Sequence, residues 1–270
     1  MMTARTILLD VGGSYIKSPD AAPVPIKSAG TEEDIAMALR NAIGDIGEVE
    51  RIGIAIPGPF DFKEGIFLMK HKFAAVYGRS FRALAGVPES VPIRYMHDVN
   101  AALQGAVTIL GLKGNTALVT LGTGLGFSYT INGEVQTSPM GSPERSIYNL
   151  PCGDGILEDK ISGKGIRGFY AEKTGETGIN AHAIAQLANA GNDAALEAYS
   201  DVGTLLGEVL ADILPDLGVT TLLMGGQISK SLSLMQRPLA NALDGIAVLP
   251  CPEGAVFEGL RSLFSNNQPI

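Results

Sequence analysis

The sequence predicts an α/β protein in two halves, and three observations carry that prediction. Short apolar runs rich in β-branched residues alternate along the 270 residues with stretches whose apolar positions recur at helical spacing. Two glycine segments, Asp10-Val-Gly-Gly-Ser-Tyr-Ile-Lys17 and Leu121-Gly-Thr-Gly-Leu-Gly-Phe127, each follow an apolar strand directly. Between them, over residues 109–116, the helical pattern dissolves into glycine and asparagine, which marks a hinge. That break predicts an N-terminal domain over residues 1–110 and a C-terminal domain over 111–270, with the last helix a candidate to pack back on the first.

Taken in order, the first strand, residues 7–11, is apolar as far as Asp10 and turns at Gly12-Gly13 into a second strand. Such a turn lacks Cβ atoms, so its backbone N–H groups can approach phosphate oxygens. A proline-rich connection, Ser18 to Pro25, leads to a helix over 31–43 that opens Thr31-Glu-Glu-Asp, a hydroxyl cap with acids near the positive end of the dipole. The strand at 51–56 ends in the rigid turn Pro57-Gly58-Pro59. A helix at 80–85 and a strand at 93–96 precede His97-Asp98-Val99, and a helix opens at Asn100 and runs to 110. In the second half, strands at 117–120 and 127–131 flank Gly122-Thr-Gly-Leu-Gly126. Helices at 181–190 and 193–214 and a strand at 221–224, closing on Gly225-Gly226, complete the pattern. Both halves thus open strand, glycine turn, strand, as an internal duplication would.

Composition narrows the function. Hydrophobic residues make up 46 %, ample for buried cores in one large or two small domains. Twenty basic residues against 28 acidic leave a net charge of −8, which argues against a nucleic-acid or anionic-membrane surface, so any phosphate site must be local. The most apolar long segment, residues 205–219, is broken by Glu208, Asp212, Pro215 and Asp216 and falls short of a membrane span. Residues 1–6 carry no export pattern, and Cys152 and Cys251 form no C-x-x-C pair. A cytoplasmic protein without disulfides or zinc is therefore expected.

Five segments could carry chemistry, and each has a plainer reading. Asp10 ends an apolar strand, where a carboxylate needs a charged partner or a hydrated cation. It could hold magnesium through water while Gly12, Gly13 and Ser14 donate N–H groups to phosphates and Lys17 supplies a point charge; otherwise it caps an ordinary hairpin. Gly122, Thr123 and Gly124 could wrap distal phosphates or be only a β-turn. The P-loop pattern is absent there and a strand follows, which removes the dinucleotide fold too. Asp98 emerges at a strand's carboxyl end, where α/β ligand crevices form, and could accept the proton of an attacking hydroxyl; the plainer role is a helix cap. Gly58 and Pro59 could bring backbone against a small ligand, and Gly225 and Gly226 could let an adenine or ribose lie flat, although both pairs also read as simple turns.

Read in order, DVGGSYIK, IAIPGPFD, HDVNAALQGA, LVTLGTGLGFSYTING and LLMGGQIS resemble the five landmarks of the ROK family of sugar kinases and regulators, over nearly the whole chain. The resemblance implies two ribonuclease-H-like domains of the actin and hexokinase type, with ATP and a sugar meeting in an interdomain cleft. It implies Asp98 as the general base, with Asp10, Gly12, Gly13, Ser14, Gly122, Thr123 and Gly124 in the two phosphate loops. By the same resemblance Gly225 and Gly226 lie near adenosine, Gly58 and Pro59 line the sugar pocket, and Glu158 binds sugar hydroxyls. ATP and Mg2+ are the implied cofactors, a small-molecule sugar the partner, and a homodimer the family-level expectation.

Departures from the family pattern matter as much. Where the family usually has Asn before its base, this chain has His97, whose imidazole can still donate one hydrogen bond to a sugar. Of a zinc set of one His and three Cys, the segment 150–158 keeps one thiol, Cys152, so no zinc is expected. The family's Gly-Glu-x-Gly-His motif is reduced to Gly141-Ser-Pro-Glu-Arg-Ser146, which leaves Glu144 as a weak counterpart and the sugar's identity open. His71 and Lys72 could supply replacement donors or belong to a solvated turn. The leading expectation is an ATP-dependent kinase acting on a hydroxyl of a hexose or hexose derivative. A non-catalytic sugar or nucleotide sensor is the first alternative. The second is a polyphosphate-using glucokinase, whose zinc-free relatives share the Gly-Gly-Ser-x-Ile-Lys loop, although this chain offers no evident basic track for a polyanion. Repressor members carry a helix-turn-helix ahead of the first phosphate loop, and the nine residues before Asp10 disfavour that reading.

Overall fold

The structure is a computed structural model and describes residues 5–47 and 49–265. It is mixed α/β and divides into two compact units. The first reaches Gly111, takes in Thr137–Glu144 and resumes at Glu253; the second holds Leu112–Gln136 and Arg145–Pro252.

In the first unit β1 (Arg5–Val11), β2 (Tyr15–Lys17) and β3 (Val24–Pro25) form an antiparallel meander. After α1 (Glu32–Ile43) the chain returns as β4 (Val49–Ile56), parallel to β1. A small hairpin, β5 (Phe60–Asp61) and β6 (Ile66–Phe67), and the short α2 (Phe81–Ala85) lead to β7 (Ile93–His97), parallel to β4, and then α3 (Asp98–Leu110). The sheet order is β3-β2-β1-β4-β7. Ile52, Ile54, Ala55 and Ile56 of β4 are all fully buried, as a central parallel strand covered on both faces requires. One cover is the apolar stripe Ile35, Leu39 and Ile43 of α1, packed in one core with Phe60, Phe67 and Phe81. Asp10 pairs with Ala55 and Ala55 with Met96, so the carboxyl ends of the three parallel strands lie level and carry Asp10, the Pro57–Pro59 turn and His97–Asp98.

Helix α3 opens two residues earlier than its sequence suggests, at Asp98 rather than Asn100, with extended His97 as its cap. An acid in the first turn is favoured by the helix dipole, which outweighs the capping preference of Asn100. Asn100 is instead buried, and its Nδ2 donates to the Gly141 carbonyl at 3.4 Å.

The second unit repeats the first sheet's layout. Its meander is β8 (Thr116–Leu121), β9 (Leu125–Ile131) and β10 (Glu134–Val135). The hairpin β11 (Pro151–Cys152) and β12 (Gly155–Ile156) follows, then α4 (Leu157–Ile161), α5 (Gly163–Thr174), α6 (Ala181–Asn189) and α7 (Asp193–Ala211). Parallel to β8 runs β13 (Thr221–Gly225), and α8 (Leu232–Ala242) connects it to β14 (Ala247–Pro250). The order is β10-β9-β8-β13-β14, again three antiparallel strands followed by two parallel ones. Helix α7 stops at Ala211, short of the expected 214, and gives way to turns around Pro215, which cannot continue a helix.

The chain then re-enters the first unit as α9 (Ala255–Ser262), which packs on α3 through two glycines. A Cβ on Gly105 would overlap the Ala255 carbonyl, and one on Gly259 would overlap that of Ala101. Leu260 of α9 is buried with Leu8, Ala55 and Ala101, covering the sheet face that α1 leaves bare. Beyond it, the guanidinium groups of Arg51 and Arg94 lie 5.0 and 5.5 Å from the Phe264 ring centre, and Arg94 Nη1 donates to the Leu263 carbonyl. Among the described residues no helix is long and apolar enough to cross a membrane.

Candidate active site

In the first unit the hairpin after β1 is closed by Gly12 N–H donating to the Tyr15 carbonyl at 3.0 Å. A Cβ on Gly12 would stand only 3.1 Å from that oxygen, closer than side chains normally approach, so the tight turn favours glycine. The Gly13 and Ser14 carbonyls accept from Ser28 and Ile26 N–H groups, which stitches the hairpin to the following segment. Asp10 is mostly buried at its base, 3.6 Å from Lys17 Nζ. Burial above all, and then the charge of Asp98, push the Asp10 carboxyl up to about 6 against the lowering pull of Lys17. A carboxylate desolvated beside a second acid gains from a nearby cation, and its oxygens are the hard donors that Mg2+ takes, so Asp10 fits the expected metal.

Asp98 stands in the first turn of α3, and about two-fifths of its side chain is exposed. Its Oδ1 accepts from Val99 N–H at 2.7 Å and lies 2.8 Å from His97 Nδ1. Among the described residues Oδ2 accepts no hydrogen bond. Burial works to raise the carboxyl, but the imidazole of His97, the Val99 N–H and the charge of Lys72 outweigh it and hold Asp98 below the usual value. It is therefore ionised at neutral pH. The other nitrogen of His97, Nε2, lies 3.2 Å from Gly58 N–H, at the turn whose Gly58–Pro59 peptide is cis.

In the second unit the turn after β8 is closed by Gly122 N–H donating to the Gly124 carbonyl at 3.0 Å, while the Gly122 carbonyl accepts from Gly163 N–H at the start of α5. Thr123 is exposed at its tip. Glu158 of α4 backs this loop: its Oε2 accepts from Leu125 N–H at 2.8 Å and would lie 2.9 Å from a Cβ on Gly124. Gly225 pairs with Thr120 at the end of β13, and Gly226, with φ 87°, abuts the Leu121 backbone so closely that a Cβ would overlap it.

Thus the first unit gathers Asp10, Gly12, Gly13, Ser14, Lys17, Gly58, Pro59, His97 and Asp98 at the carboxyl ends of its parallel strands. Glu144 belongs to the same unit and is exposed. The second unit gathers Gly122, Thr123, Gly124, Glu158, Gly225 and Gly226 at the corresponding ends of β8 and β13. Lys72, which the sequence leaves between donor and solvated turn, is near enough to bias Asp98. The Glu158–Leu125 bond had no sequence signal, because it joins a helix to a strand far away along the chain. Among the described residues no group of three or more His, Cys, Asp or Glu side chains assembles a metal cluster, and both cysteines are free thiols.

Comparison with known proteins agrees with this architecture. The chain is 24 % identical over 255 residues to the N-acetyl-D-glucosamine kinase of Haemophilus influenzae (strain 86-028NP), covering 82 % of this chain and 83 % of that protein. Among solved structures it is similar to a ROK family glucokinase from Streptomyces griseus in complex with glucose and AMPPNP, with a TM-score of 0.75, 22 % identity and coverage of 96 % and 98 % of the two chains. A ROK family transcriptional regulator, homologue of the E. coli MLC protein, gives a TM-score of 0.79 at 16 % identity, over 94 % of this chain and 76 % of that one. The fold is thus the actin- and hexokinase-like one of these proteins. The sequence pattern of the ROK family matches residues 7–256, nearly the whole chain, and the protein belongs to that family.

Proposed function

We propose that this chain is an ATP-dependent sugar kinase that transfers the γ-phosphoryl group to a hydroxyl of a hexose or hexose derivative. The observation that carries the reading is Asp98, an ionised carboxylate with one oxygen engaged twice and the other unengaged among the described residues, in the same unit as the glycine hairpin of Asp10. In the step, the acceptor O–H gives its proton to Asp98 Oδ2 as its oxygen bonds to the γ-phosphorus. The bond from that phosphorus to the β-phosphate oxygen breaks, and ADP leaves.

Gly13 and Ser14 of the first unit, and Thr123 and Gly124 of the second, offer N–H and hydroxyl donors to phosphates, with Lys17 as a point charge, while the N–H groups of Gly12 and Gly122, expected as donors too, are spent closing the two turns. Gly225 and Gly226 take the adenosine, and Gly58, Pro59, Glu144 and Glu158 take the sugar. When bound, a magnesium ion held by Asp10 through water would neutralise phosphate charge. The names of the Haemophilus and Streptomyces relatives support a sugar as acceptor.

The test is ADP release with ATP, Mg2+ and a panel of hexoses and N-acetylhexosamines. Asp98→Asn should lower turnover by about 10²- to 10⁴-fold while leaving ATP binding by calorimetry intact. Equal turnover in the variant removes Asp98 from the mechanism. The reduced motif at Gly141–Ser146 favours a second reading, a sugar sensor, which calorimetry would reveal as binding without ADP release in the wild type. Replacing ATP with polyphosphate in the same assay decides the donor.

A further inference from the structure

We propose that His97 is a positioning residue that acts on the reaction through Asp98 rather than by touching the sugar: its Nδ1–H fixes Oδ1 of the base, and its Nε2 ties that base to the turn at Gly58. The inference rests on the kinase reading above. A neutral imidazole carries one N–H, and the partner of each nitrogen decides which. Gly58 N–H can only donate, so Nε2, 3.2 Å away, is the bare nitrogen. Nδ1 then carries the hydrogen and donates to Asp98 Oδ1 at 2.8 Å.

Val99 N–H also reaches Nδ1 as a long hydrogen bond of 3.4 Å, but its much shorter bond goes to Oδ1 at 2.7 Å, and that nearer, charged acceptor is its principal partner. Oδ1 therefore receives two N–H donors from different directions. That fixes the carboxylate plane and leaves Oδ2 as the oxygen that takes a proton. The ring is itself held. Only 15 % of the His97 side chain is exposed, the Phe62 ring centre lies 5.7 Å away, and a Cβ on Gly58 would touch Cδ2 and Nε2 at 3.4 Å. With both nitrogens engaged inside the unit, no ring N–H remains for a sugar hydroxyl.

Substitutions separate the two nitrogens, because an Asn amide nitrogen falls near the place of Nδ1 and a Gln amide near that of Nε2. In the hexose assay His97→Ala should lower kcat by about 10- to 100-fold, the scale expected of a misplaced catalytic group, with the sugar KM changed by less than about threefold. His97→Asn should recover most of the kcat, and His97→Gln should not. In an Asp98→Asn background His97→Ala should cost nothing further, since the two act as one unit. A raised KM at unchanged kcat would instead make His97 a sugar contact and overturn the proposal.

The second readout does not depend on turnover. Long-range ¹H–¹⁵N NMR of the wild type, with the His97 signal assigned by its absence in His97→Asn, should show the Nδ1–H tautomer. An Nε2–H tautomer together with turnover ends the coupling and spares the kinase reading. The Nδ1–H tautomer without turnover on any sugar ends the kinase reading and leaves the coupling standing.

Discussion

Gly226 and Gly124 look alike in the sequence and differ in what a methyl group would meet. At Gly226 the backbone is left-handed and the methyl would run into the Leu121 backbone, neither of which can give way. Gly226→Ala should therefore destabilise by about 3 kcal/mol or more, seen as a large drop in Tm or a loss of soluble protein. At Gly124 the obstacle is the tip of a side chain, Glu158 Oε2 at 2.9 Å, which can swing aside at the loss of its bond from Leu125, about 2 kcal/mol for a carboxylate acceptor. Gly124→Ala should fold with a smaller Tm loss than Gly226→Ala while kcat/KM for ATP falls about tenfold or more, because the loop loses its backing. A Tm loss like that of Gly226→Ala would show the loop to be structural only. The sequence marks both glycine pairs as ligand turns, but a carboxylate standing behind one of them is a non-local fact. Cys251 gives a chemical prediction at the same scale. Burial pushes its thiol up to about 11, so only about 0.1 % is thiolate at pH 8, and alkylation should be far slower than for an ordinary cysteine.

At the scale of elements, legibility follows how far each segment's local preferences agree with its fold. Helix α1 was readable because everything in it agrees: Asp34 N–H donates to Thr31 Oγ1 at 3.2 Å, and Asp34 Oδ2 accepts Thr31 N–H at 3.0 Å. Thr31→Ala should cost about 1 kcal/mol of stability in thermal melts at pH 7. The bonds from the Thr31 N–H and hydroxyl hold the Asp34 carboxyl below its ordinary value. Their contribution is thus complete above the unfolded pKa and fades as pH falls through the folded one. The Tm gap between wild type and variant should narrow as the pH is lowered below the ordinary carboxylate range, and a gap that widens would refute the assignment. Helices α5 and α8 were not readable for the opposite reason. Gly163 and Gly165 open one and Pro238 lies inside the other, all poor helix formers. They form because Ile166 and Tyr170, and Leu232, Met235 and Leu239, complete the second unit's core. Tertiary burial overrides propensity there, and no window of sequence contains it.

For the whole molecule, the alternation of strands and helices and the two glycine hairpins announced two α/β sheets, and the sheets share one strand order. The sequence made the last helix a candidate to pack back on the first domain; what pattern reading could not assign is the surface through which it would do so. That surface consists of small residues, Gly105 on one helix and Ala255 and Gly259 on the other, and in a sequence these look like weak points. In the fold they are the surface on which two helices meet backbone to backbone. Without α9, the same face of Leu8, Ala55 and Ala101 would open to water. A fragment of residues 1–111 should therefore lack a cooperative thermal transition and bind an apolar dye, although it contains every strand of its sheet. Joining residues 253–265 to it through a glycine-serine linker should restore cooperative melting, and Gly259→Ala in that fusion should abolish the gain, since its methyl has only the Ala101 backbone to displace. Cooperative melting of 1–111 alone, at the Tm of the fusion, would make α9 an accessory. Asp98 would then owe its place to β7 and α3 alone, and the returning helix would have no part in setting the base.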